Sequence, residues 1–513
     1  MVARLKAAAL IGVDARLIEI EVELSQGLPM LTLIGLGDTA VQEAKYRVQS
    51  ALRSLGVGLP HKKITINLAP AALRKDGASL DLPIALGILV GAGVIGEGAV
   101  ESLMAAGELA LDGTLRPIRG ALAIAALARS VSIARLAVPR ANAAEASALG
   151  GPRVLAPAGL AQLVAHLREG VELLPPPSSP PPAADPTTVD LAEVRGQPLA
   201  RRALEIAAAG GHNILLIGPP GSGKTMLARR LPSILPPMAA EESLEVTKVW
   251  SAAGLTLGEG GLIRARPFRA PHHSASAVAL IGGGSVVRPG EVSLAHRGVL
   301  FLDELFELPR STLESLRQPI EDREVVIARA RQVVRLPASF MLVAAANPCP
   351  CGFSGDGRGR CRCTRGEIAR YAGRLSGPLL DRIDLVIDVP AVATQEVLQN
   401  TGGESSASVR QRVVRARERA RERGVACNGE LSGARLRHAC ALGASARTLL
   451  CSAIERLGLS ARVIERMIRV ARSIADLAGE AQISEDGIAE ALRYRPLSDG
   501  LGSPAETRAR LGA

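Results

Sequence analysis

The chain has 513 residues, room for about three domains of ordinary size. With 47% hydrophobic and 22% charged residues it is not wholly disordered, and with 2% aromatics it is no nucleic-acid module built on rows of stacking rings. The formal net charge of +11 suits a polyanion partner, because neutralised phosphates release counterions, and is equally compatible with an arginine-rich bias on ordinary solvated faces.

The early segments predict a mixed α+β unit. Residues 17–24 alternate like a half-buried strand, 39–55 have helical periodicity, and 64–68 read as another strand. Residues 107–118 carry Asp112-Gly113 between two apolar stretches, a hairpin signal, and 120–129 form an Ala-rich helix. The uncharged run 82–96, bounded by Asp81 and Glu97, is shorter than the ~18–20 residues that span a bilayer. The first residues make a poor secretory signal, since Asp14 closes the apolar patch. A soluble, cytoplasmic protein without membrane contact is expected. Residues 174–186, rich in Pro, predict a stiff spacer, and a Gly/Ser-rich loop at 400–408 precedes a segment that is helical throughout.

The segment Gly218-Pro219-Pro220-Gly221-Ser222-Gly223-Lys224-Thr225 fits the phosphate-loop pattern at every fixed position, between an apolar strand (213–217) and a helix (226–231). The glycines let backbone N–H groups curl around phosphates, and the helix N-terminus adds a favourable dipole. Lys224 is expected to reach the β- and γ-phosphates and the Thr225 hydroxyl to ligate Mg²⁺. A second apolar strand (298–302) ends in Asp303 and Glu304, candidates to hold Mg²⁺ through water and to polarise the attacking water. A third (340–345) ends at Asn347, able to orient the same water. The reaction read from these residues is hydrolysis of ATP.

Cys349, Cys351, Cys361 and Cys363 offer four thiolates, enough for tetrahedral Zn²⁺, although C-x-C spacing is tighter than the usual C-x₂-C. Free reduced thiols are the other reading. Cys427, Cys440 and Cys451 read as packed.

These strands in this order resemble the AAA+ ATPases. The stretches Phe268-Arg-Ala-Pro-His-His273, Ile281-Gly-Gly-Gly284, Arg288-Pro-Gly-Glu291, Asn347-Pro-Cys-Pro-Cys-Gly352 and Ser376-Gly-Pro-Leu-Leu-Asp-Arg-Ile-Asp384 narrow the resemblance to the magnesium-chelatase-like branch, in particular the ComM/YifB family of competence-associated proteins. The resemblance implies an α/β fold: an AAA+ P-loop core with a parallel sheet (188–395) and a helical lid (396–513). Residues 1–170 precede it as an α+β Lon-protease-like (S5-like) domain, joined by the linker 171–187. It implies a homo-hexameric, DNA-dependent ATPase that translocates on single-stranded or branched DNA and drives branch migration, alongside recombination or competence proteins. The alternative is a magnesium-chelatase-type motor acting through a partner subunit.

By the same resemblance Arg382 is an arginine finger for a neighbouring subunit and Arg462 is sensor 2 of the lid. Residues 324–335 sit where related helicases carry a hairpin; Arg329 and Arg331 at its tip are the candidate DNA contacts. His272-His273 is expected to stabilise its loop or lie near DNA rather than bind metal. The arginine-rich helix 409–423 is expected to be a solvated lid face laced by Glu418 and Glu422. In the Lon-like part Ser79 is present, but Leu122 stands at the position of the lysine base, so no peptidase activity is expected.

Overall fold

The computed structural model describes residues 2–35, 39–58, 60–71, 78–175, 189–255, 261–284, 286–329, 332–392 and 403–495. Most of the expected proline-rich spacer, residues 400–402 of the Gly/Ser-rich loop, and Arg331 lie outside the described residues.

Period-two alternation of apolar residues produces β1 (Val2–Ile11), β2 (Asp14–Ser25), β3 (Met30–Ile34) and β4 (Lys63–Ala69). Next come β5 (Leu103–Ala105), β6 (Glu108–Leu109), β7 (Leu115–Arg116), β8 (Arg135–Ala137) and β9 (Arg153–Leu155). They build a seven-stranded mixed sheet in the order β3-β4-β2-β1-β5-β8-β9, with β6 and β7 as a separate antiparallel hairpin. Asp112 closes that hairpin by accepting from the Thr114 backbone N–H at 3.0 Å and its hydroxyl at 2.7 Å, the local bond expected of a turn aspartate. The apolar run at 82–96 is a core helix, Asp81–Gly91, buried from Asp81 through Val90. Arg47 reaches into it and donates to both Asp81 oxygens, at 2.6 and 3.0 Å. Burial nevertheless pushes the Asp81 carboxyl up to about 6, against the pull of Arg47. Leu122 is buried in the helix Ala121–Ser130.

A second sheet carries the phosphate loop. Its strands are β10 (Ile214–Ile217), β11 (Phe268–Arg269), β14 (Val299–Leu302), β17 (Met341–Ala346) and β18 (Leu385–Asp388), with the small pair β12 (Gly282–Gly283) and β13 (Arg288–Pro289) and the hairpin β15 (Glu324–Arg329) and β16 (Gln332–Pro337) inserted along the way. All neighbours in the order β11-β14-β17-β10-β18 are parallel. Both faces are covered, which is why β10, β14 and β17 read as continuous apolar runs. Leu216, Phe301 and Val343 pack on one side; Leu215, Leu300 and Leu342 pack on the other. The Pro267 backbone before β11 leaves no room at Gly298, where a Cβ would lie 2.0 Å from the Pro267 carbonyl oxygen.

The C-terminal helices Ser406–Glu422, Gly433–Ala439, Ala444–Leu457, Ala461–Ala478 and Glu485–Arg493 share their apolar faces with the helix Pro198–Gly210. The arginine-rich helix differs from the solvated face expected of it. Arg412 pairs with Glu205 and Glu404, Arg417 donates to the carbonyl of Ala208 at 3.0 Å, and Arg410 to that of Ser233 at 2.8 Å. Helical periodicity identified the helix, but long guanidinium stems can reach backbone carbonyls that only the tertiary fold presents.

Candidate nucleotide-binding site

The strand order sets β14, β17 and β10 side by side, so their carboxyl ends deliver Asp303-Glu304, Asn347 and the phosphate loop to one edge of the sheet, where parallel α/β sheets bind ligands. Gly218 opens the loop with its N–H on the Ala346 carbonyl at 3.2 Å. A Cβ at Gly218 would lie 2.1 Å from the Val389 carbonyl oxygen, so only glycine fits. Lys224 begins the helix Lys224–Ile234 and its side chain turns under the loop. Its Nζ donates to the carbonyls of Gly218 at 2.6 Å and Pro219 at 3.0 Å, and approaches Asn347 Oδ1 at 3.4 Å. Burial pulls the Lys224 ammonium below its ordinary value, while the charges of Asp303 and Glu304 act the other way.

Thr225 donates its hydroxyl proton to Asp303 Oδ2 at 2.9 Å. That bond leaves the hydroxyl lone pairs directed elsewhere, so Thr225 and Asp303 together would suit a hydrated Mg²⁺. Asp303 Oδ1 accepts from the Glu304 N–H at 2.9 Å. Glu304 has φ of +50°, a left-handed conformation unusual for glutamate, which swings its carboxylate off the strand direction. There it meets His273: Nδ1 lies 2.9 Å from Glu304 Oε2. The sequence expectation gave the His272-His273 pair a loop-stabilising or DNA-proximal role, and no spacing rule identifies the carboxylate that His273 meets.

Other candidates lie elsewhere. Arg382 and Arg462 are not brought to this phosphate loop. Both line a cavity of about 1000 Å³ whose other walls include Asn213, Gly298, Met341 and Asp384, the residues at the amino ends of the strands. The cavity is therefore at the opposite edge of the sheet from Lys224. Arg382 ion-pairs with Glu321 and donates to the Pro378 carbonyl at 2.6 Å. Arg466 and Arg469 share the cavity wall with Arg462, and burial pushes the Arg466 guanidinium below its ordinary value. Arg329 is at the end of β15, opposite Gln332, and donates to the Gly284 carbonyl at 3.0 Å, joining the hairpin tip to the glycine-rich insertion.

The four clustered cysteines do come together. Their sulfurs all lie within 4.8 Å of one another, with Cys349 to Cys361 and Cys351 to Cys361 both at 3.7 Å and Cys349 to Cys351 at 3.3 Å. Zn–S bonds of about 2.3 Å in a tetrahedron place sulfurs about 3.8 Å apart, whereas a disulfide needs about 2.05 Å. The Ser354 N–H points at Cys349 Sγ at 3.3 Å, a bond suited to a thiolate. The donor set fits a metal ion.

Three models of magnesium-chelatase ChlI sequences match the chain: "Subunit ChlI of Mg-chelatase" over residues 20–142, "Magnesium chelatase, subunit ChlI" over 190–397 and "Magnesium chelatase, subunit ChlI C-terminal" over 403–495. The chain is 45% identical over 497 residues to the competence protein ComM of Haemophilus influenzae, covering 95% of this chain and 96% of that one. It is 44% identical over 495 residues to the uncharacterized protein YifB of Salmonella typhimurium, with the same coverage. Likeness to the magnesium-chelatase 67 kDa subunit of Chlorobaculum parvum is 30% over 162 residues, 30% of this chain and 23% of that one.

Proposed function

The chain belongs to the ComM/YifB family of magnesium-chelatase-like AAA+ ATPases, and on that premise we propose that it works as a ring hexamer that hydrolyses ATP to translocate on DNA and migrate branched recombination intermediates. The observation that carries the ring is the position of Arg382 and Arg462 at the sheet edge opposite Lys224. A guanidinium there serves a phosphate only when a second copy brings its own loop to that edge. Each interface then combines one subunit's Lys224, Thr225, Asp303, Glu304 and Asn347 with the next subunit's arginines.

The residues divide the work in a definite way. Backbone N–H groups of Gly221 to Lys224 and the Lys224 ammonium bind the β- and γ-phosphates. Thr225, and Asp303 through water, would hold Mg²⁺, which when bound would supply positive charge against those phosphates. Glu304 takes a proton from the attacking water, and Asn347 fixes that water's orientation. The four thiols hold a structural Zn²⁺. The domain division at 170, 187 and 395 belongs to the same reading, with residues 1–170 serving ring assembly or DNA engagement rather than peptide cleavage.

For DNA, the support is the net charge of +11, the hairpin ending at Arg329 and the name of the Haemophilus relative. The chelatase alternative has the three ChlI family models behind it, while the magnesium-chelatase 67 kDa subunit itself is alike over only 30% of this chain. The test is a Holliday-junction migration assay with ATP, run with wild type, Lys224→Ala and Glu304→Gln. Migration by wild type alone, with hydrolysis stimulated by branched DNA, is expected. Hydrolysis indifferent to every DNA offered, or a protein that stays monomeric with ATP and DNA, would sink the proposal.

A further inference from the structure

The four-thiol cluster is adjacent to the nucleotide site on three sides. Along the chain, Cys349 follows Asn347 with one proline between them and is fully buried. In space, Gly352 backs onto the phosphate loop: a Cβ there would lie 2.8 Å from Pro220 Cδ and 2.9 Å from Pro220 Cγ, and 4.0 Å from Asn347 Cγ. Gly352 also has φ of +84°, so glycine is required twice over. Beyond Cys363, Thr364 and Glu367 form a capping box that starts the helix Arg365–Ala372. That helix carries Tyr371, whose hydroxyl donates to Glu307 at 3.0 Å and whose ring meets Phe306 edge-on at 5.2 Å, three and two residues after Glu304.

The connecting loop has little else to hold it. Residues 352–360 contain four glycines and two arginines; Asp356, which pairs with Arg360 and accepts from the Arg358 N–H at 2.9 Å, and Arg360 over the Phe353 ring at 4.2 Å are among its other ties. A loop of that composition loses much conformational entropy on ordering, and a four-coordinate metal crosslink supplies the compensation.

We infer that a Zn²⁺ ion bound by Cys349, Cys351, Cys361 and Cys363 is the part that holds Pro220 and Asn347 in position, so that nucleotide binding by this chain is metal-dependent. This rests on the nucleotide site proposed above. The metal has no contact with phosphate and takes no part in the reaction; it acts through Gly352 on the loop and through the backbone of residues 347–349 on Asn347, which makes the thiols positioning residues.

The experiment measures zinc content and the affinity for a fluorescent ATP analogue, without DNA, on the full chain. Wild type is compared with protein stripped of metal by a thiol reagent and chelator, the same protein reloaded with Zn²⁺ or Co²⁺, Cys361→Ser and Gly352→Ala. About one zinc per chain is expected, with thiolate-to-metal charge-transfer absorption from the Co²⁺ form. Stripping and Cys361→Ser should weaken nucleotide binding by roughly tenfold or more, and reloading the stripped protein should restore it. Gly352→Ala, which keeps every thiol, should keep its zinc and lose nucleotide affinity, reporting on the contact with Pro220; the stripped and reloaded wild type decides metal dependence if Cys361→Ser fails to fold. Thiols that take up no metal, or affinity unchanged in the stripped protein or in Gly352→Ala, overturn the inference. Because no DNA is present, metal-dependent nucleotide binding by a protein that fails in the junction assay sinks only the translocase proposal, and nucleotide affinity independent of metal in a protein that migrates junctions sinks only this one.

Discussion

His273 Nδ1 lies 2.9 Å from Glu304 Oε2, while Asp303 next to Glu304 is already committed to the Thr225 hydroxyl and the Glu304 N–H. Of the two strand-end carboxylates, one is tied to the cation side of the site and the other to a histidine from a separate insertion. A carboxylate engaged with an imidazole has one oxygen fewer to offer an attacking water. His273→Ala is therefore expected to raise ATP hydrolysis without DNA by roughly fivefold, the equivalent of about 1 kcal/mol for a half-exposed charged hydrogen bond. Affinity for nucleotide should stay the same. Basal hydrolysis that is unchanged or lower in steady-state assays would show that the contact does not restrain Glu304.

Glu245 ties the start of β14 to the helix Ala240–Ala253. His296 Nδ1 accepts from the Ser339 N–H at 3.0 Å, so the ring carries its proton on Nε2 and donates it to Glu245 Oε2 at 3.1 Å, beside Arg297 at 2.8 Å. His296 first, and then Arg297, hold the Glu245 carboxyl down at about 2. A depressed carboxylate contributes stability that is complete above its unfolded value, near 4.5, and disappears as pH falls towards 2. Because Glu245 is nearly half exposed, that contribution is discounted to about 1 kcal/mol. Glu245→Gln should lower the melting temperature at pH 7, and the difference from wild type should vanish on acidification to about pH 2. A gap that persists unchanged in acid would mean packing, not charge, is responsible.

The lid contains a buried charge cluster. Arg472 Nη2 lies 3.1 Å from Asp476 Oδ1, Asn428 Nδ2 donates to Asp476 Oδ2 at 2.7 Å, and Arg423 pairs with the same carboxylate. Asp476→Ala leaves guanidinium groups uncompensated in the interior, which costs about 3–5 kcal/mol. Hydrogen exchange of the helix Ala461–Ala478 should accelerate accordingly. Protection equal to wild type would count against the cluster as a stabilising element.

Arg329 and Arg331 provide the test of the hairpin. If they grip phosphate, Arg329→Ala and Arg331→Ala should weaken DNA binding alike for every sequence. Each should also reduce the slope of log affinity against log salt by about 0.7 per lost contact on single strands. Fluorescence anisotropy across a salt series reads both. An unchanged slope would return Arg329 to its single role of holding the Gly284 carbonyl.

Much of the candidate nucleotide site is legible because it is local. Gly218 to Thr225 is a contiguous pattern whose chemistry depends on its own backbone, and Asp303, Glu304 and Asn347 each end an apolar run that only a strand buried on both faces would carry. The cysteines were countable, but that four sulfurs could meet within 4.8 Å despite C-x-C spacing required the loop to be folded. Arg382 and Arg462 were visible as arginines, whereas the edge of the sheet where they lie was not.

The chain alone determined which segments become strand and helix and which residues can handle phosphate, since periodicity and short motifs act over a few neighbours. Tertiary structure decided which of those residues meet: His273 with Glu304, Gly352 with Pro220, and the arginines at the edge away from Lys224. Such meetings depend on strand order and on close packing between residues far apart in sequence, and no local spacing rule encodes them.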